Sequence, residues 1–540
     1  MGPTAPRSAR IDALRSRRFD VLVIGGGITG CGIARAATRR GLSVALVEKD
    51  DFASGTSSRS SRLVHGGVRY LEHGHLRLVF ESSAERRRLL RLAPHLVRPL
   101  AFTWPVYRGA RIPRWKLAAG LALYDALALF RNVGRHSRLS RAGVLAREPE
   151  LRREDLRGGA GYFDASTDDA RLTLANALDA AASGGCIVNH AAVQGLMMTS
   201  GRVGGARVVD ALTGESLDVH ANVVVNATGP WSDDVRRLGG ETGSDTRGSK
   251  GVHVAVPRDR IGNHGALTLL SPTDGRVLFI LPSGAQATVG TTDTYTTSSP
   301  DEVRATEGDV RYLLATANFF FPNARLTRED VIGAWAGIRP LVASSAAAPG
   351  AVSREHAVSV SERGLVSITG GKLTTYRVMA DDVLDVVTRE LGTTPGHGTN
   401  DRPLCGGDVS LDAAVAAATA AIGDPAFARR LVERFGSRWS EVWSIVNATP
   451  EGRTAIDAAA PYTLGELFYS VRHEMACTLG DLLIRRTHLA FETRDHGRAA
   501  AERIAPVLAA RLGWDTKQVA REVGRYSLEI ERIFTVDPGE

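Results

Sequence analysis

Residues Asp20 to Gly30 read DVLVIGGGITG, and no other stretch limits the fold as much. A run of β-forming residues ends in Gly25-Gly26-Gly27-Ile28-Thr29-Gly30, which fits G-x-G-x-x-G with Gly25, Gly27 and Gly30 at the fixed positions. Cys31–Arg40 (CGIARAATRR) follows as a helix body, Leu42–Val47 (LSVALV) as a second strand, and Glu48 closes that strand. The first glycine permits the tight turn, the second lets a pyrophosphate approach the backbone, and the third lets helix and strand pack closely. The helix N-terminus attracts the phosphates, and the acid accepts hydrogen bonds from ribose hydroxyls. The pattern predicts an α/β fold around a parallel, dinucleotide-binding βαβ unit.

Glu48 disfavours a 2′-phosphate but suits NAD and FAD equally, so later segments must decide. Ala221–Trp231 (ANVVVNATGPW) is a second buried strand ending in Ala227-Thr228-Gly229. Gly364–Arg377 (GLVSITGGKLTTYR) is a third strand, running into Gly370-Gly371 and a helix. A helix N-terminus there suits the flavin pyrimidine, where negative charge gathers on reduction. Three such junctions, spread along the chain, predict one domain interrupted by insertions, and the late strand ending in Ala-Thr-Gly resembles that of flavoproteins with this first half, which implies a flavin where the junctions converge.

Composition narrows the partners. With 43% hydrophobic and 23% charged residues, the 540-residue chain is of the folded class and long enough for several domains. Its net charge of +8 permits a nucleic acid, an anionic membrane surface or an anionic substrate. No zinc-finger spacing or lysine block supports nucleic acid, which is not expected as a partner. Cys31, Cys186, Cys405 and Cys477 form no CxxC and are expected as small buried hydrophobes; no metal site is expected. The basic start, residues 1–19, has no apolar signal core and is expected to be loosely attached. Leu117–Phe130 (LAAGLALYDALALF) is too short to span a bilayer comfortably. Its flanks carry Arg108, Arg111, Arg114 and Lys116 on one side and Arg131, Arg135 and Arg138 on the other, so a buried helix and an interfacial helix both fit.

Several further blocks carry a resemblance. SSRSSRLVHGGVRYLEHG (Ser57–Gly74), FDASTDDARLTLANA (Phe163–Ala177), KGVH (Lys250–His253), GTTD (Gly290–Asp293), GIRPL (Gly337–Leu341) and GGKLTTYR (Gly370–Arg377) join the two glycine motifs. Together they resemble the FAD-dependent, respiratory glycerol-3-phosphate dehydrogenases, clearly over about residues 20–390. The resemblance implies FAD as cofactor and oxidation of sn-glycerol 3-phosphate to dihydroxyacetone phosphate by hydride transfer to flavin N5. It further implies a membrane quinone as acceptor, peripheral attachment to the cytoplasmic face of an anionic membrane, and a homodimer.

The fold implied is an FAD-binding Rossmann-like domain of the glutathione-reductase/D-amino-acid-oxidase type, with an inserted mixed β-sheet substrate domain and a helical C-terminal domain. The divisions expected are a flexible N-terminus (1–19), FAD-binding parts at 20–97, 141–247 and 343–395, a substrate- and membrane-facing insertion (98–140), a substrate domain (248–342) and a helical cap (396–540). Cap helices are expected at Val409–Ala420, Ala426–Phe435, Leu464–His473 and Val519–Thr535.

By resemblance the cofactor is held by Gly25, Gly27, Ile28, Thr29, Gly30, Glu48 and Lys49, by Thr56, Ser57, Ser58 and Ser61, and by His65, Gly66 and Gly67. Ala227, Thr228 and Gly229 join them, with Gly371, Lys372, Leu373 and Thr374 at the far junction. The substrate falls to Arg69, Tyr70, His253, Arg339, Arg354 and Lys372. Arginine suits this role because its planar fork matches phosphate. His253, Arg339 and Lys372 are the catalytic candidates. His253 is favoured as base or proton relay, and an arginine-polarised alkoxide losing its proton to water is the alternative. Asp168 and Asp169 fit a helix N-cap and first-turn acid. Arg59 and Arg62 have no role beyond solvated charge. Oxygen in place of quinone, or an amine or amino-acid substrate, are the competing readings.

Overall fold

Val21, Leu22 and Val23 have no exposed surface and Ile24 almost none, so the strand Arg18–Ile24 is covered on both faces, as a central parallel strand requires. The structure, a computed structural model, describes residues 2–243, 246–342, 355–393 and 401–539. Arg18–Ile24 pairs in parallel with Val44–Val47 on one side and with Ser216–Asn226 on the other. Leu365–Gly370 continues the sheet in parallel beyond Ser216–Asn226, and Cys186–Val188 beyond Val44–Val47. Ile24 is in register with Asn226, and Asn226 with Ser367. The three glycine junctions separated in sequence therefore end side by side at one edge, where open α/β sheets bind ligands.

Helices Ile28–Arg39, Asp169–Ala182 and Tyr376–Glu390 cover one face through Ala34, Ala37, Leu174, Leu178, Ala380 and Val383. Asp168 is the expected N-cap of the second helix, accepting from the Arg171 N–H at 3.0 Å, and Asp169 lies in its first turn.

A second, mixed sheet holds ten strands among the described residues. Thr246–Pro257 pairs antiparallel along its length with Gly333–Val342, setting Ser249 opposite Arg339, Gly251 opposite Gly337 and His253 opposite Trp335. Alternation puts these pairs on one face. The sheet takes in strands that the expected division gave to the flavin parts: Leu156–Thr167, from 141–247, pairs with Val97–Tyr107 along its whole length, and Leu63–Val64, from 20–97, pairs with Leu156–Thr167. These strands are largely buried, and a buried strand reads alike in either sheet.

The N-terminus also departs from expectation. Arg7–Ser16 is a helix whose Ile11, Ala13 and Leu14 are buried, and Arg7 donates to Asp210 at 2.8 Å. Its abundant arginines disguised an apolar face. The cap helices run Leu411–Ile422, Pro425–Phe435, Leu464–His473 and Thr516–Phe534, within three residues of expectation. Cys31 and Cys186 are buried as expected, whereas Cys405 and Cys477 are only partly so.

The cap is riveted to the flavin domain by ion pairs. In the π-helical turn Asp481–Arg486, Arg485 and Arg486 both reach the buried Asp51, at 2.7 and 2.6 Å. Arg485 also meets Glu529 at 2.7 Å, and His190 meets Asp481 at 3.0 Å. Asp51, His190 and Asp481 converge closely enough to suggest metal ligands, but the arginines already take the carboxylate oxygens. Removing one partner of such a pair strands buried charge and costs about 3–5 kcal/mol. Asp51→Ala is therefore expected to lower the unfolding free energy by about that amount in denaturant titration; a change within 1 kcal/mol would show the lattice to be dispensable.

Candidate functional site

Two connected cavities lie where the sheets meet. One, of about 330 Å³, is lined by Gly25, Gly27, Ile28, Thr29, Glu48 and Lys49, by Ala227, Thr228 and Gly229, and by Gly371 and Lys372. The other, of about 720 Å³, takes in His65, Gly67, Arg69, Tyr70, His253 and Arg339. Thr56, Ser57, Lys372 and Leu373 line both, so the two form one continuous space.

The smaller cavity fits the adenosine diphosphate half of a dinucleotide. A Cβ at Gly25 would stand 2.7 Å from the Ala227 carbonyl oxygen, and one at Gly30 would run into the carbonyl oxygen of Gly25. Only glycine lets these three backbone segments close into a cradle. Ser57 Oγ accepts from the Ile28 N–H at 3.0 Å, bracing the helix start. The Glu48 carboxylate accepts from the N–H groups of Gly26 and Asp50, at 2.5 and 2.9 Å. Burial, with Asp50 adding to it, raises its pKa to about 7.

The larger cavity gathers cations. Arg339 is held by Thr291 Oγ1 at 3.0 Å, the Thr292 carbonyl at 3.3 Å and Asp293 at 3.5 Å, while Ser249 Oγ donates to Asp293 at 2.5 Å. Lys372 donates to Ser82 Oγ at 2.7 Å and lies 4.6 Å from the centre of the Tyr70 ring, with Arg69 5.8 Å from that ring. His253 is buried, stacks on Trp335 at 5.7 Å and has Nε2 2.9 Å from Ser61 Oγ. Burial, then Arg339 and Arg62, lower its pKa to about 3, so the imidazole is neutral at pH 7. His65, lowered to about 4 chiefly by burial, is neutral as well.

Most expected site residues thus share one space, with exceptions. Gly30, Ser58 and Gly66 do not line it; Gly30 packs the cradle, and the Gly66 N–H donates to Asp164 at 3.1 Å. Thr56 Oγ1 donates to the Ile338 carbonyl at 2.6 Å, tying the serine loop to the second sheet. Thr374 Oγ1 bonds the His65 backbone N–H at 3.2 Å. Arg354 lies outside the described residues.

Arg59 and Arg62 are not solvated charges. Arg59 is 8% exposed, its guanidinium meeting the Ala336 carbonyl at 3.5 Å, and burial lowers its pKa to about 10. Arg62 lies 5.0 Å from the Phe491 ring centre and donates to His488 Nδ1 at 3.3 Å, while His488 Nε2 meets Asp168 at 2.8 Å. Arg59 packs on the second sheet at Ala336, and Arg62 packs toward the cap, more than 400 residues away. Thr291, Asp293 and Ser82 were missed as partners of Arg339 and Lys372; GTTD was the available signal for the first two.

Three histidines with lowered pKa values, two of them buried and His65 on the cavity wall, carry a stability consequence. His65, His95 and His253 titrate at about 4, 3 and 3 in the folded chain, below the ordinary 6.5. The unfolded chain therefore binds more protons below pH 6.5, and stability is lost as pH falls through that window. Each contributes about 2 kcal/mol of loss at pH 5, against which the raised carboxyls of Glu48, Glu81, Glu148, Asp169 and Glu522 work in the opposite sense. Thermal unfolding without cofactor is expected several degrees lower at pH 5 than at pH 7.5; equal midpoints would contradict the lowered histidine pKa values.

Comparison with known proteins agrees with this geometry. The family described as FAD dependent oxidoreductase matches residues 20–377, and the C-terminal domain of alpha-glycerophosphate oxidase matches residues 397–519. The chain belongs to the FAD-dependent oxidoreductases and has their FAD-binding fold. Within them it belongs with the glycerol-3-phosphate dehydrogenases. It is 40% identical to a Mycobacterium leprae glycerol-3-phosphate dehydrogenase over 98% of this chain and 91% of that one. It is 35% identical to an aerobic glycerol-3-phosphate dehydrogenase of Staphylococcus aureus, covering 96% and 95%. The structure of the glycerol-3-phosphate dehydrogenase from Bacillus halodurans complexed with FAD superposes with a TM-score of 0.82 at 32% identity, covering 99% and 98%.

Proposed function

We propose that this chain oxidises sn-glycerol 3-phosphate to dihydroxyacetone phosphate and delivers the electrons to a membrane quinone. The observation that carries the substrate is the convergence of Arg69, Tyr70, Arg339 and Lys372 on the wall that also holds neutral His253. FAD, when bound, supplies the two-electron acceptor for the hydrogen at C2. Arg339 and Arg69 take the phosphate, the first pre-oriented by Thr291 and Asp293. Tyr70, held between two cations, donates to a substrate oxygen. His253 accepts the alcohol proton: it starts uncharged at neutral pH, and a substrate phosphate that neutralises Arg339 relieves part of the depression that makes the imidazole a weak base in the empty site. Lys372 sets positive charge beside the developing anion.

The acceptor and the membrane belong to the same proposal. No helix among the described residues is long and apolar enough to cross a membrane. The helix Arg114–Leu127 and the segment after it nevertheless expose Trp115 (74%), Leu123, Leu129, Phe130 (63%) and Val133. Arg108, Arg111, Arg114, Lys116, Arg131, Arg135 and Arg138 flank or fall within this stretch in sequence, all exposed. Apolar side chains among cations suit an interfacial helix on an anionic bilayer, here the cytoplasmic face. The homodimer that the resemblance implies is carried in the proposal and is read by sedimentation.

Oxygen is the second reading, favoured by the match to an oxidase C-terminal domain. Anaerobically substrate-reduced protein is mixed with quinone in anionic vesicles or with aerated buffer. Rapid reoxidation by quinone and slow reoxidation by air is expected; rapid peroxide formation with no response to quinone would replace the dehydrogenase by an oxidase.

A further inference from the structure

Lys49 follows the acid that marks the adenosine end, and Trp231 follows the Ala-Thr-Gly junction; both line the smaller cavity. They approach each other there, with Lys49 Nζ 4.2 Å from the indole centre. The indole also lies on Gly55, where an added Cβ would be 2.9 Å from the ring. A third group joins them. Asp301, in the loop between Thr294–Tyr295 and Ala305–Thr306, accepts from Lys49 Nζ at 2.7 Å and from the Trp231 ring N–H at 3.0 Å. One carboxylate oxygen serves each donor.

The three contacts form a closed triangle between two side chains of the nucleotide sheet and one loop that leaves the second sheet after Tyr295 and ends at Ala305–Thr306, which pairs with Val536–Asp537. Its outer edge faces solvent, the Lys49 and Asp301 side chains being 36% and 44% exposed. Burial works against the Asp301 charge, yet the hydrogen bonds from Lys49 and Trp231 hold its carboxyl below the usual carboxylate range, so the ion pair is formed at neutral pH. None of this is needed to shape the cradle, which glycines and Ser57 make on their own. What the triangle adds is a link across the junction of the two sheets, beside the cavity.

We propose that Asp301 is a cofactor-retention residue: its bonds to Lys49 and Trp231 clasp the adenosine end of FAD into the cavity. The assignment rests on the nucleotide-site reading above. Release of FAD then requires this edge to part, so the clasp governs the dissociation rate. An exposed ion pair is screened by salt, which ties that rate to ionic strength.

The test follows FAD release from the full-length protein by the activity regained by an excess of an apoflavoprotein trap that captures FAD as it dissociates. Asp301→Ala is expected to release FAD about ten times faster than the parent at low salt. The parent rate is expected to rise with salt and the variant rate to stay flat. Asp301→Asn, which keeps an acceptor for the indole and loses the charge, is expected between the two. Trp231→Phe, keeping a ring and losing the donor, is expected to release FAD severalfold faster and gives an independent reading should Asp301→Ala fold poorly. Rates within twofold of the parent for both Asp301→Ala and Trp231→Phe would overturn the clasp. If the parent protein holds no FAD, the nucleotide-site reading fails and the clasp with it.

Discussion

Replacing Arg339 by alanine is expected to raise the KM for sn-glycerol 3-phosphate about a hundredfold while leaving the flavin content unchanged. A hundredfold is about 2.7 kcal/mol, the scale of one or two charge-assisted hydrogen bonds in a desolvated site. The guanidinium lies in the larger cavity, away from the glycine cradle, and is held by Thr291, Thr292 and Asp293 rather than by groups of the smaller one. Its removal withdraws a phosphate donor and leaves the cradle alone. Because Arg339 is also the nearest cation depressing His253, the variant should show a histidine pKa moved upward. Lysine at this position is expected to restore part of the loss, keeping charge without the fork. Steady-state kinetics at several pH values, with flavin counted by absorbance, check both halves. Loss of flavin with normal substrate binding would place Arg339 in the wrong cavity.

Gly30→Val is expected to yield protein without FAD. A Cβ there meets the Gly25 carbonyl oxygen, which is backbone and has nowhere to retreat because Gly25 itself lies against Ala227. Helix Ile28–Arg39 would have to lift from the strand, and the cradle would open by more than phosphate contacts tolerate. Flavin content below about a tenth of the parent, not recovered by adding FAD, is the expected result. A variant that purifies fully yellow would contradict the packing role of the third glycine.

Legibility in the sequence followed the range of the interactions. The strand–Gly–helix–strand–Glu48 unit was readable because all its parts are local, and so were the N-cap at Asp168 and the cap helices. The convergence of Gly25, Ala227 and Gly371 was inferable because each stands at the end of an apolar strand, and parallel pairing aligns such ends. What was hidden depends on partners far along the chain. Asp51 with Arg485 and Arg486, Arg62 with His488, and Lys49 with Asp301 leave no periodic trace. Arg59 and Arg62 looked like surface charge because composition does not report a distant aromatic or carbonyl group. Leu156–Thr167 was misplaced because a buried strand does not declare its sheet. Ser61, grouped with cofactor ligands, proves to touch His253, a reminder that residue type sets a bond's chemistry and the fold sets its partner.

The most direct test of the account is anaerobic mixing of the purified flavoprotein with sn-glycerol 3-phosphate, glycerol and a series of 2-hydroxy acids, following flavin absorbance. On the proposed reading, Arg69, Arg339 and Lys372 around one cavity hold the phosphate of the substrate. Bleaching by glycerol 3-phosphate alone, with dihydroxyacetone phosphate formed in equal amount to flavin reduced, is the predicted result. Flavin that stays oxidised with glycerol 3-phosphate, or bleaches as readily with a 2-hydroxy acid, would contradict it.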